Sequence, residues 1–268
     1  MPGTGARIGA VLLVSGLAPA LTAAPAHPHG TPAHPHAAPA HPHAAPAHPH
    51  VTPAEPARTR PADKYTGYAQ LAAHETEGRD YRREQRFPRG ARVAHIAVHG
   101  GAIEPPTTQL ANHSARVGRH AYYSFTAVKA SGNRDLHITA DRFDEPKARA
   151  LVSRVDYTVA WHGAAGSRAT TYIGGRDTAL IRKIAAELRA AGFNVARSVP
   201  AGLRGRSPDN ITNKNRRGRG VQLEISLGQR KRFFAGGRLD RAWIGDPANR
   251  TGAFRAYTAA VNRALPGS

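Results

Sequence analysis

RVAHIAVHGG (92–101) and YTVAWHG (157–163) decide the fold. Each is an apolar run of strand length that stops on a His-Gly pair, His99-Gly100 in the first and His162-Gly163 in the second. Runs this short, bounded by glycine, read as buried strands followed by tight turns. Working outward, the sequence predicts further strands over 122–128, 135–139, 170–173, 193–196 and 221–226. Helices are predicted over 145–154, 177–191 and 249–265. In the second of these, Leu180, Ile181, Ile184, Ala185 and Leu188 keep the helical period, and Gly192 stands just past the end as a C-cap. Strands alternating with helices predict one α/β domain with a mixed, largely parallel sheet flanked by helices.

In open α/β sheets, ligands bind beyond the carboxyl ends of the strands. His99 and His162 emerge there. Glu104 follows His99 across a loop with two glycines, which lets its carboxylate fold back beside the imidazole. His99, Glu104 and His162 form a His₂Glu set, a composition of catalytic zinc sites, which keep one coordination position open. The alternative is that both imidazoles are merely solvated or hydrogen-bonded. In VQLEIS (221–226) alternation puts Gln222, Glu224 and Ser226 on one face. That face is either solvated or carries Glu224 as a general base beside the metal. His137 falls inside the predicted strand 135–139, as a partly buried structural residue or a substrate contact. His95, four residues before His99 and on the same strand face, reads as structural. NITNKNRRGRG (210–220) is a loop of amide and cationic donors. It is either solvated or binds carboxylates through Asn210, Asn213 and Arg216.

Composition narrows the function classes. The 268 residues include no cysteine, which excludes a disulfide framework, thiolate metal sites and a Cys nucleophile. No Gly-x-Ser-x-Gly elbow, P-loop or dinucleotide fingerprint is present. Residues 1–26 read as a secretory signal, with Arg7, a broken apolar stretch and small residues near a cleavage site. The expected location is therefore extracellular, with no membrane span left after cleavage. Residues 27–62 contain His-Pro-His four times at a seven-residue period and are expected to be a disordered linker able to gather extra metal ions. The catalytic domain is expected over 63–268. The net charge of +20 falls almost wholly on that domain. A basic exported surface fits an anionic polypeptide or cell-wall partner; nucleic acid is not expected.

Several motifs in order carry a more specific signal: VHGGAIEP (98–105), YYSF (122–125), LHITADRFDEP (136–146), VAWHG (159–163), YIGGRD (172–177), NITN (210–213) and GVQLEISLGQR (220–230). Together they resemble the zinc-dependent poly-γ-glutamate hydrolase family first associated with bacteriophages. The resemblance implies a zinc-carboxypeptidase-like fold, Zn²⁺ held by His99, Glu104 and His162, and Glu224 as general base or acid. His137, Asn210 and Arg230 match family motif positions, where contact with substrate or with the metal ligands is implied. The activity implied is cleavage of γ-glutamyl amide bonds. Two rivals stay open: a peptidoglycan or peptide amidase on the same scaffold, and a secreted protein that only binds metal or polyanion.

Overall fold

Helix α1 (Tyr68–His74) leads into β1 (Tyr81–Arg86), and β2 (Val93–Gly101) follows. Helix α2 (Thr107–Val117) connects β2 to β3 (Ala121–Ala127), and α3 (Pro146–Val152) precedes β4 (Tyr157–Ala164). After β5 (Thr171–Gly175) come α4 (Thr178–Ala190) and β6 (Val221–Ser226). Three helices close the chain: α5 (Leu227–Lys231), α6 (Arg241–Gly245) and α7 (Gly252–Arg263). This computed structural model describes residues 62–267, so the expectations for 1–26 and 27–61 lie outside the described residues.

The six strands form one sheet in the order β1-β3-β2-β4-β6-β5. The inner four are mutually parallel, and the edges β1 and β5 run antiparallel to their neighbours. The chain therefore moves from β2 to β3 on one side and then to β4 on the other side of β2. The switch point, where such sheets open a crevice, lies between β2 and β4. Helix α2 covers one face through Leu110, Ala111 and Ala115, packed with Trp161, Phe254 and Tyr257. Helix α3 covers the other through Ala148, Leu151 and Val152, with Tyr123, Phe125 and Phe143. Helix α4 starts where Asp177 accepts the amide of Leu180 at 3.1 Å, which satisfies one exposed helix-end donor.

The structure departs from the expectations in five places. The predicted strand 135–139 is a 3-10 turn over Asn133–Leu136 followed by an irregular segment. Leu136 and Ile138 are buried and alternate as in a strand, but β3 already has β1 and β2 on its two edges. Strand β1 carries no strand pattern in its sequence, because YRREQR has a single apolar residue in six. The predicted strand 193–196 makes only one bridge, Val195 to Thr171. His95 and His99 do not share a face, because the pairing of β2 shifts between Ala97 and Gly100. His95 instead accepts the Trp161 indole proton at 3.1 Å and contacts His120 at 3.1 Å. Finally, the Gln222–Glu224–Ser226 face of β6 is not solvated: every residue of that strand is buried.

Candidate metal centre

The carboxyl ends of β2 and β4 bring His99 and His162 together, and β6 sets Glu224 directly beside His162 in register. Glu104 returns from the loop between β2 and α2. His162 Nδ1 lies 3.0 Å from His99 Nδ1 and 3.5 Å from Glu104 Oε2, and His99 Nδ1 lies 3.2 Å from the same oxygen. Zinc bonds of about 2.0–2.1 Å at tetrahedral angles separate neighbouring donor atoms by about 3.3 Å. The three observed edges fit that figure. Among the described residues this is the one His/Asp/Glu group close enough to hold a metal ion.

The surroundings fix how these donors present themselves. His99 Nε2 donates to the Ile138 carbonyl at 2.8 Å, which leaves Nδ1 as the ring nitrogen that faces the other two donors. The irregular segment 137–140, which is not a strand, supplies that carbonyl. Glu104 Oε2 accepts the Gly163 amide at 2.8 Å. A side chain at position 163 would force Arg230 or Glu104 to shift: its Cβ would sit 2.9 Å from Arg230 Cζ and 3.0 Å from Glu104 Cβ. Burial alone would push the Glu104 carboxyl up, but His99 and His162 outweigh it and hold it well below the ordinary carboxylate range. Arg230 donates to the carbonyls of Ile225, Ala164 and Pro105 at 3.0, 3.1 and 2.5 Å. It thereby ties the ends of β6 and β4 to the loop that carries Glu104.

A second chain of hydrogen bonds orients Glu224. Asn210 Oδ1 accepts the Thr212 amide at 3.0 Å, so its Nδ2 is the atom that donates to Gln222 Oε1, at 3.1 Å. Gln222 must then point its own amide nitrogen at Glu224 Oε1, 3.0 Å away. Sequence alternation placed Gln222 on the Glu224 face but gave it no role. Asp63 was likewise missed. Its carboxylate accepts His137 Nδ1 at 2.6 Å and the Thr139 amide at 2.7 Å. Burial tends to raise the Asp63 carboxyl, and these donors lower it below its ordinary value. The ionised carboxylate therefore keeps the His137 proton on Nδ1. Burial, then the neighbouring His99, push His137 down to about 3, so the ring is neutral. Its Nε2 has no hydrogen-bond partner and carries the lone pair, at the wall of the cavity.

That cavity measures about 510 Å³. His99, His137, His162 and Glu224 line it, together with Asn210 and residues of the loop 201–207. Of the residues expected to touch substrate, His137 and Asn210 do line the cavity. Asn213 is instead occupied with backbone: it donates to the Gly205 and Ser207 carbonyls and accepts the Gly220 amide. Arg216 stands apart from the cavity, 3.8 Å from Asp156, which precedes the opposite end of β4. Strand spacing alone could not separate these loop positions, because their direction depends on where the loop crosses the sheet.

The family model described as poly-γ-glutamate hydrolase matches residues 65–260. The chain belongs to the poly-γ-glutamate hydrolase family. Relatives of this hydrolase family member occur in Bacillus subtilis (strain 168). The UPF0714 protein YmaC is 34% identical over 173 residues, covering 64% of this chain and 72% of that protein. The SPbeta prophage-derived UPF0714 protein YoqZ is 37% identical over 174 residues, 65% of this chain and 62% of its own length. The match to YoqZ thus spans less than two thirds of that relative. A solved bacteriophage poly-γ-glutamate hydrolase superposes with a TM-score of 0.72 at 32% identity, over 76% of this chain and 96% of that one. Zinc-free apo YNDL superposes at 0.71 and 29% identity, over 77% and 98% of the two chains. Asp63 precedes the family match, which begins at residue 65.

Proposed function

We propose that this member of the family is an exported, zinc-dependent amidohydrolase that cleaves γ-glutamyl amide bonds of poly-γ-glutamate. The observation that carries the reading is the His99–Glu104–His162 cluster with Glu224 in register beside His162. Zinc bound by those three residues would supply an acidified water and a polarised carbonyl. Glu224 takes a proton from the attacking water and delivers it to the leaving amine. Gln222 holds Oε1 of that carboxylate, so the proton transfer does not wait for a rotation. His137 lines the cavity, with its buried Nε2 turned toward Glu104 Oε1, 4.0 Å away. The basic surface concentrates an anionic polymer near the cleft.

Export rests on the sequence of residues 1–26 alone; among the described residues no helix is long and apolar enough to cross a membrane. The test offers the purified protein poly-γ-glutamate, α-linked polyglutamate and peptidoglycan peptides, before and after chelation and zinc return. Cleavage of the γ-linked polymer, lost on chelation and restored by zinc, is expected. The Glu224→Gln variant should retain zinc and lose at least about 100-fold in kcat, the lower range for general-base removal. Turnover unaffected by chelation overturns the mechanism, and preference for peptidoglycan peptides overturns the substrate.

A further inference from the structure

The cavity lined by His99 and His162 is also lined by a cation that neither the mechanism nor the sequence motifs use. Arg206 is exposed, lines the cavity, and meets no carboxylate or hydrogen-bond acceptor among the described residues. Its backbone, by contrast, is held on both sides. Asn213 Nδ2 donates at 2.9 Å to the carbonyl of Gly205 and at 2.9 Å to that of Ser207. Gly205 lies flat against the amide of Gln222: with φ of +55°, a Cβ there would approach Gln222 Oε1 to 2.2 Å. The loop is thus registered on the same glutamine that orients Glu224. Arg204 differs, since its Nε is spent on the Val199 carbonyl at 3.2 Å. A guanidinium on a held stretch of backbone, with its fork available, suits one planar anion, a carboxylate bound through two parallel N–H bonds.

We propose that Arg206 binds the free α-carboxylate that a γ-glutamyl chain carries next to the amide being cleaved. This rests on the γ-glutamyl reading above. In a γ-linked chain the scissile nitrogen is attached to a carbon bearing an ionised carboxylate. In an α-linked chain the same carbon bears a neutral amide, unless it is the last residue. A cation lining the same cavity as the reacting centre therefore reads the linkage. Arg206 makes the cleft selective through binding and takes no part in proton transfer.

The experiment uses the full-length zinc-loaded protein, Arg206→Ala and Arg206→Lys. The substrates are a short γ-linked glutamate oligomer and the same oligomer with its α-carboxylates capped as amides. Arg206→Ala should raise KM for the free oligomer about tenfold or more, the value of a hydrogen-bonded charge pair, with kcat nearly unchanged. It should leave the capped oligomer unaffected, and Arg206→Lys should fall between. Equal effects on both oligomers, or none on either, overturn the assignment. If the wild type cleaves neither oligomer, the hydrolase reading fails on its own account. Calorimetric binding of the free oligomer to wild type and Arg206→Ala then decides: weaker binding to the variant supports the subsite, and equal binding overturns it.

Discussion

Glu224 is aimed by an amide whose own orientation is set two contacts away. Thr212 fixes Asn210, Asn210 fixes Gln222, and Gln222 donates to Glu224 Oε1. Replacing Gln222 with Leu keeps bulk and removes the donor. The expected result is a kcat lowered at least about tenfold, roughly one lost charge-assisted hydrogen bond, with KM and zinc content little changed. Steady-state kinetics with elemental analysis checks it; loss of zinc would make Gln222 a support of the ligands instead. The convergence of His99 and His162 was legible because glycine after each histidine marked where the strands stop. The Asp63–His137 contact was not, since the partners are 74 residues apart and neither sits in a periodic element.

Strands β2, β4 and β6 act as one frame, and a buried imidazole pair braces it on the face covered by α2. His95 on β2 receives the Trp161 proton from β4 and pairs with His120 just before β3. Burial, then the facing His120, push His95 well below its ordinary 6.5, and burial lowers His120 as well. The folded pair resists protons that the unfolded chain accepts. Its stabilisation is complete above about pH 6.5 and declines as pH falls below that value. Denaturant midpoints of zinc-free protein should drop between pH 7.5 and 5, and drop less steeply in a His95→Gln/His120→Gln double variant. Equal slopes would show that the pair does not titrate with folding. Apolar runs and periodic helices made β2, β4, β6 and α4 legible. Strand β1 was hidden by its polarity, and LHIT alternates like a strand yet pairs with none of the six.

The whole molecule joins a strongly cationic chain to a cleft whose floor collects imidazoles and carboxylates. Its function depends on whether that floor grips a metal. The His-Pro-His segment offers eight further histidines, so a metal count on the full chain mixes two sources. Zinc stoichiometry by elemental analysis of the protein lacking residues 27–50, with and without His162→Ala, separates them. One tightly held equivalent is expected in the parent protein and none in the variant; equal zinc in both, or none in either, would contradict the proposed centre.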